Sequence, residues 1–125
     1  MRFGNSAQPF SIEQRSAGRG AVVTVAGEVD IHTAPRLADA LGEVIEEASP
    51  HPLVVDLTGV EFLDSSGVNV LLRTHRRVGD LRVVASPAVR RPLEVTGLTA
   101  TMNIFDDLEA ALSPLPRSPG GPDDE

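Results

Sequence analysis

The sequence predicts a single α/β domain whose sheet is mixed but mostly parallel, with four to five strands and about four helices. Two observations lead to this fold class. Short runs rich in Val and Leu alternate with longer segments in which apolar residues recur every three or four positions, which is typical of strands alternating with amphipathic helices. Before the first such helix, only a glycine-containing loop separates two strand-like runs, which indicates an antiparallel hairpin.

The strands are predicted from β-branched and apolar runs that end at turn residues. They cover Phe10–Gln14, Ala21–Ala26, Leu53–Leu57, Leu81–Ala85 and Thr101–Phe105. Ser16–Gly20 is predicted to be the hairpin loop, and Gly27–His32 a second loop. The third run is almost continuously apolar, which favours a buried strand in the sheet centre, and Thr58 and Gly59 predict a turn after it.

The first two helices are predicted from their terminal residues. Thr33 is the predicted N-cap of the first helix, with Pro35 in the first turn, where a missing N–H does no harm. The second helix is predicted to begin at Ser65 and Ser66 and to end at Gly79, in the left-handed conformation that glycine adopts easily.

The third helix is predicted to have Ser86 as its N-cap and Pro87 as its first residue. Pro92 lies within the helical segment, where it would lose a backbone hydrogen bond and clash with the preceding turn. We therefore expect this helix either to kink or to begin near Arg91. Gly97 is predicted to close it.

The ends of the domain are predicted from composition. Asp106 and Glu109 are spaced as a capping box at the start of a fourth helix. The domain is predicted to span residues 9–113. Residues 1–8 are expected to be a flexible N-terminus, and residues 114–125, which are rich in Pro, Gly and acids, a disordered tail.

The composition restricts the possible functions. A formal net charge of -7 repels phosphate backbones and anionic lipids, so neither nucleic acid nor a membrane is an expected partner. The sequence has no cysteine, which excludes disulfides, thiol catalysis and cysteine-based zinc sites. The 3 histidines are scattered without metal-ligand spacing, and no apolar run is long enough to span a membrane. We expect a cytoplasmic protein without a metal or cofactor.

The motif of chemical interest is Asp64-Ser65-Ser66-Gly67, at the start of the second helix. A helix N-terminus has backbone N–H groups without partners and a partial positive charge. A serine in this place can cap the helix, and a phosphate on it would be well tolerated. From helix physics alone, capping is the stronger interpretation and phosphorylation the weaker one.

The wider pattern resembles the STAS domain family, which includes the bacterial anti-sigma factor antagonists and a domain of sulfate transporters. The resemblance is carried by Gly27-Glu28-Val29-Asp30, Thr33-Ala34, and the segments VVDLTGVEFLDSSGVNVLL, ASPAVRRPLEVTGL and FDDLEAAL. It runs from about Phe10 to Leu112, and the first of the three long segments is its most specific part.

The resemblance implies a regulatory role and a site. In the antagonists the first serine of the motif is phosphorylated, which here is Ser65, and Asp30 and Asp64 flank it. The implied partner is an anti-sigma factor that is also the serine kinase and binds the ATP, and a serine phosphatase resets the switch. The oligomeric state stays open between a monomer and a weak dimer. The implied partner-binding surface comprises Asp30, Thr33, Asp64, Ser66, Gly67 and Asn69.

The implied mechanism is electrostatic. The unmodified Ser65 region docks on the anti-sigma factor and frees a sigma factor, as in control of a stress response. Phosphorylation adds roughly -1.5 to -2 charges, and a buried unpaired charge lowers affinity by about two to three orders of magnitude. The chain departs from the family pattern at Asn69, where many relatives have Gly, at Pro92, where most have an apolar residue, and in its tail.

The sequence supports an enzymatic function less well than a binding function, and we predict no catalytic activity. A hydrolase would need a base for Ser65, but His75 lies ten residues along the same helix, about 15 Å away. A phospho-acceptor aspartate domain would place Asp56 at a strand end, yet such domains also need a lysine, and the sequence has none.

The main alternative is a STAS domain that does not switch. Such a domain would be a scaffold or a small-ligand-binding module with a different protein partner. The presence of Ser65, Asp64 and Asp30 favours the switching protein.

Overall fold

The computed structural model describes residues 9–113, which form one five-stranded sheet in the order β1-β2-β3-β4-β5. The strands are β1 (Ser11–Ala17), β2 (Gly20–Val29), β3 (Leu53–Leu63), β4 (Leu81–Val84) and β5 (Asn103–Phe105). The β1–β2 pair is antiparallel and the other pairs are parallel, which confirms the predicted mixed, mostly parallel sheet. The predictions for residues 1–8 and 114–125 lie outside the described residues.

The helices follow the strands as the alternating pattern predicts. They are α1 (Ala34–Ala48), α2 (Ser65–Arg77), α3 (Pro87–Val95) and α4 (Leu108–Leu112), and a 3-10 turn at Leu98–Ala100 precedes β5. Each new parallel strand is added on the same side of the previous one. Since crossovers between parallel strands are right-handed, this order places α1, α2 and α3 on one face of the sheet.

The core is aliphatic and has two parts, one on each face of the sheet. The larger part packs alternate strand residues such as Val23 and Val55 against α1, α2 and α3, with Leu37 and Leu71 fully buried. The intervening strand residues point to the other face. There a smaller cluster joins α4 to the sheet through Val22, Val54, Val84 and Ala111.

The predicted turn after Leu57 is wrong, because β3 continues to Leu63. Thr24 pairs with Asp56 and Ala26 with Gly59, so β3 has one more residue than β2 in this interval and accommodates it as a bulge. The Asp56 carboxylate accepts hydrogen bonds from the backbone N–H and the hydroxyl of Thr58, at 3.0 and 2.8 Å. The turn signal at Thr58 and Gly59 thus marks a bulge inside a long strand.

The loop predicted at Gly27–His32 is shorter in the structure, because β2, like β3, is longer than predicted. β2 extends to Val29, which is the register partner of Leu63. The connection to α1 is therefore short, and the two longest strands of the sheet end together. This shared end positions the residues of the candidate site.

The predicted end of α2 is wrong, whereas the predicted start of α3, with Ser86 as N-cap and Pro87 as first residue, is confirmed. α2 ends at Arg77 with Val78 in an extended conformation as its cap, and Gly79 is not left-handed. α3 begins at Pro87 and runs through Pro92, so the alternative start near Arg91 is wrong.

Packing explains the continuity of α3. The fully buried Val89 and Leu93 hold the helix on the sheet on both sides of the proline. Gly97 has a φ of +78° and follows the end of α3, as predicted.

The predicted capping box is displaced by one residue. Asp107, and not Asp106, is the N-cap of α4, and its carboxylate accepts a hydrogen bond from the N–H of Ala110 at 2.8 Å. Asp106 instead forms an ion pair with Arg90 at 2.7 Å. Asp106 and Asp107 are both good N-cap residues by type. The ion pair with Arg90 engages Asp106, and Asp107 serves as the cap.

Candidate functional site

The candidate site lies where β2 and β3 end at the same edge of the sheet. The backbone N–H of Asp64 donates a hydrogen bond to the carbonyl of Val29 at 3.1 Å, which ties the two strand ends together. Asp30 and Asp64, the residues that follow the paired Val29 and Leu63, therefore leave the sheet side by side. The fold thus brings together the two acids that were predicted to flank Ser65.

Asp30 organises the loop between β2 and α1. Its carboxylate accepts hydrogen bonds from the backbone N–H groups of His32, at 2.9 Å, and Thr33, at 3.1 Å. These bonds lower the pKa of the Asp30 carboxyl. The Thr33 hydroxyl donates to the carbonyl of Glu28 at 2.8 Å and accepts from the N–H of Asp30 at 2.9 Å.

Thr33 occupies the predicted N-cap position of α1, but its side chain makes no capping hydrogen bond to the helix. Its hydroxyl is used inside the loop instead. Asp30 and Thr33 together form a closed set of short-range hydrogen bonds, so both residues fix the shape of the loop beside α2.

Asp64 is the N-cap of α2. Its Oδ1 accepts hydrogen bonds from the N–H of Ser66 at 2.8 Å and from the N–H of Gly67 at 3.4 Å. The serines lie inside the helix, with Ser65 as its first residue, so the interpretation of Ser65 and Ser66 as caps is wrong. The Ser65 side chain is exposed and makes no hydrogen bond within residues 9–113.

Gly67 holds α2 close to the sheet. It is buried, and a Cβ atom at this position would lie 2.7 Å from Cγ1 of Val29 and would also overlap the side chain of Leu63. Distances this short are not tolerated without a shift of the Leu63 and Val29 side chains or of the helix. Gly67 therefore positions the start of α2, although the resemblance implied that it belongs to the partner-binding surface.

A groove of about 430 Å³ runs between α1 and α2 beside Ser66. Its lining includes Ile31, Pro35, Ala38, Ser66, Asn69 and Arg73. Asn69 is exposed on α2, as a partner-contacting residue must be. Ser66 is half-buried in the groove wall, whereas Ser65 faces solvent next to it.

Ile31 is a feature of the site that sequence reasoning missed. It lies in the short loop next to Asp30, lines the groove, and is 65% exposed. Single exposed apolar side chains are common on protein surfaces, so it is the position of Ile31 beside the groove that makes it a candidate contact residue. The only sequence feature that could have indicated Ile31 is its position between two polar residues in a predicted loop.

The charges around the site are mainly negative. Asp30 and Asp64 lie at the strand ends, and Asp39 lines the groove from α1. Arg73 is the cation in the groove lining, and it makes no ion pair within the described chain. Additional negative charge at Ser65 would therefore meet a surface that is already acidic on its sheet side.

The described part of the chain offers neither a metal site nor a membrane span. Residues 9–113 contain no group of three His, Asp or Glu side chains that could hold a metal ion. No helix in this range has the length and apolar character needed to cross a bilayer.

Comparison with known proteins agrees with the fold and the sequence pattern. The family model of the STAS domain matches residues 11–111. The anti-sigma-F factor antagonist RsfB of Mycobacterium tuberculosis is 41% identical over 97 residues, which cover 74% of this chain and 79% of RsfB.

Solved structures show the same architecture. The crystal structure of an anti-sigma factor antagonist from Mycobacterium paratuberculosis has a TM-score of 0.79 and 40% identity, covering 83% of this chain and 92% of that one. The Bacillus cell fate determinant SpoIIAA in its phosphorylated form has a TM-score of 0.59 and 22% identity, covering 82% and 96%, which is a likeness of fold. This chain therefore belongs to the STAS-domain family of anti-sigma factor antagonists.

Proposed function

We propose that this protein binds an anti-sigma factor and thereby frees a sigma factor, and that phosphorylation of Ser65 weakens this binding. The observation that carries the proposal is the position of Ser65. It is the exposed first residue of α2, its hydroxyl has no structural task within residues 9–113, and the helix is capped by its neighbour Asp64. A kinase can reach such a hydroxyl without disturbing the fold.

Ser65 is a better acceptor than Ser66. The backbone N–H of Ser66 is engaged by Asp64, and its side chain is half-buried in the wall of the groove. Ser65 projects into solvent from the same turn. The geometry therefore supports the assignment that the family resemblance implied.

The partner-binding surface that we propose combines Ser65 with Ile31 and the groove between α1 and α2. Ile31 and Pro35 offer apolar contact, and Asn69 and Arg73 offer polar contacts one and two turns further along α2. A surface with an apolar centre and a polar rim is the usual composition of a protein interface. Asp30 and Thr33 contribute by holding the loop that carries Ile31.

A phosphate on Ser65 would find few partners in its own protein. Asp64 already uses the N–H groups of Ser66 and Gly67, which a phosphate at a helix start would otherwise accept. Roughly -1.5 to -2 charges would therefore stay at the docking surface beside an existing carboxylate. Burying such a charge without a partner lowers the affinity by about 10²–10³-fold.

The chain acts in this proposal by binding alone and catalyses nothing. The anti-sigma factor is the serine kinase and binds the ATP, and a serine phosphatase removes the phosphate. All of these partners would act in the cytoplasm, where sigma factors meet RNA polymerase.

The test starts with the purified chain, a candidate anti-sigma kinase and ATP, and mass spectrometry to locate the phosphate. We expect phosphate on the parent and on Ser66→Ala, which is the matched control, and none on Ser65→Ala. Calorimetry with a nucleotide-free partner should then show binding weakened about 10²–10³-fold by the phosphate. Equal affinity of the two forms would refute the switch.

The alternative is a non-switching STAS scaffold or small-ligand module. The observation that favours it is the open groove between α1 and α2. It predicts no phosphate on Ser65 with any cognate kinase. It also predicts that Ser65→Glu binds the protein's partner as tightly as the parent does.

A further inference from the structure

The outer edge of β1 is an open strand edge among the described residues. β1 is the first strand in the sheet order, and its 7 residues pair with β2 in unbroken register from Ser11 opposite Ala26 to Ala17 opposite Gly20. The strand at the other edge, β5, has only 3 residues. A long regular edge presents backbone N–H and C=O groups that can pair with another strand.

The hairpin turn determines which backbone groups face outward. Only two residues separate Ala17 from its register partner Gly20, so these partners form the closing hydrogen-bonded pair. Because the direction of the backbone groups alternates along a strand, those of Ile12, Gln14 and Ser16 point away from β2. The outward set is therefore centred on Gln14, the midpoint of the strand.

The charges on β1 are placed symmetrically about the same midpoint. Glu13 and Arg15 are the neighbours of Gln14, both are exposed, and neither forms an ion pair within residues 9–113. If two copies of the strand pair antiparallel about Gln14, Glu13 of each copy lies opposite Arg15 of the other. These are non-hydrogen-bonded positions, where facing side chains approach most closely.

We propose that the outer edge of β1 is a self-association surface, through which two copies of this chain pair about Gln14 and extend one sheet into the other. The contact is isologous, since the same residues face each other from both copies. A hollow of about 190 Å³ beside the strand, lined by Gln14, Arg15 and Glu47 among others, leaves room for the glutamine of the second copy. One strand pair is a small interface, which predicts weak and reversible dimers.

This inference is independent of the proposed function. The contact runs along β1, whereas Ser65 follows the central strand β3, so both copies of a dimer keep their Ser65 accessible. If the Ser65 phosphorylation switch is refuted, the proposed β1 dimer is unaffected. If the β1 dimer is refuted, the proposed switch is unaffected.

Sedimentation velocity on the full chain, from about 1 µM to about 1 mM, tests the inference. The parent should associate as its concentration rises. Glu13→Arg places two arginines opposite each other at both symmetric positions, and Arg15→Glu does the same with two acids. Each single change should weaken association at least about tenfold. The double exchange restores the opposite charges, and should restore association to within about threefold.

Two further variants separate pairing from folding and from net charge. Arg19→Glu changes the charge as Arg15→Glu does, but lies in the turn, and should leave association unchanged. Gln14→Pro removes an outward N–H and no bond to β2, so it should abolish association while circular dichroism shows an intact fold. A parent that stays monomeric throughout the range, or a double exchange that fails to restore what both single changes abolish, overturns the inference.

Discussion

Asp64 has two tasks that can be separated by substitution. It caps α2 through the N–H groups of Ser66 and Gly67, and it places a negative charge beside Ser65. Asp64→Ala removes both the hydrogen-bond acceptor and the charge. Asp64→Asn removes the charge but keeps an oxygen that can accept the same hydrogen bonds.

The magnitudes follow from the capping geometry. Loss of an N-cap costs about 0.5–2 kcal/mol, and loss of a carboxylate at a helix start costs a further 0.3–1 kcal/mol, roughly. We therefore expect Asp64→Ala to lower the free energy of unfolding by about 1–2 kcal/mol. Asp64→Asn should lose about 0.5 kcal/mol, since only the interaction of its charge with the helix is removed.

Phosphorylation of Ser65 should change the stability cost of Asp64→Ala. In the phosphorylated parent the phosphate competes with Asp64 for the same N–H groups, whereas in phosphorylated Asp64→Ala those groups are free to bind it. The cost of Asp64→Ala should therefore be smaller in the phosphorylated protein, by about 1 kcal/mol.

Urea unfolding followed by circular dichroism measures all these differences. Asp39→Ala is the matched control, because it removes an exposed carboxylate from the interior of α1 and should change stability by less than about 0.5 kcal/mol. Equal losses for Asp64→Ala and Asp39→Ala would contradict the capping role. An identical cost of Asp64→Ala with and without the phosphate would refute the competition for the N–H groups.

Three other predictions concern neighbouring residues. Ile31→Ala should weaken binding to the anti-sigma partner by about tenfold or more without loss of stability, whereas Val95→Ala, which trims an exposed apolar side chain outside the groove, should not. Gly67→Ala should lower the free energy of unfolding by about 1–3 kcal/mol because of its overlap with the sheet, while Gly42→Ala, which has room, should raise it by up to about 1 kcal/mol. Hydrogen bonds from His32 and Thr33 lower the pKa of the Asp30 carboxyl in the folded protein. The Asp30 carboxylate therefore stabilises the fold at pH values above its unfolded pKa of about 3.9. This contribution is lost as the pH falls through the lower pKa of the folded state. Stabilities of the parent and Asp30→Asn, measured by urea unfolding, should therefore differ at pH 7, and the difference should shrink as the pH falls through the lowered pKa of the folded state.

The order of strands and helices could be predicted from the sequence because it depends on local periodicity. All five strands and four helices occur in the predicted order, although β1 and β2 extend into the predicted hairpin loop at Ser16–Gly20. The bulge at Thr58 could not be predicted, because a turn and a bulge use the same residue types. Pairing with β2 decides between them, and this pairing is a long-range property of the sheet.

The cap of α2 shows the same limit at the candidate site. Asp64 and Ser65 are both good N-cap residues, and propensity does not separate them. The choice is made by β3, which runs to Leu63, and by the hydrogen bond from the N–H of Asp64 to the carbonyl of Val29. These hold Asp64 extended, as a cap requires, so the helix begins at Ser65, one residue earlier than it would with Ser65 as the cap.

That displacement by one residue matters for a switch. If Ser65 were the cap, its hydroxyl would hold the first turn of α2, and phosphorylation would alter a hydrogen bond on which the fold depends. With Asp64 as the cap and Gly67 seating the helix on the sheet, the Ser65 hydroxyl has no structural task within residues 9–113. A phosphate can then add charge to the surface without removing any hydrogen bond that the Ser65 hydroxyl makes within residues 9–113. The effect of modification is therefore expected in the affinity for the partner, with the architecture of the domain unchanged.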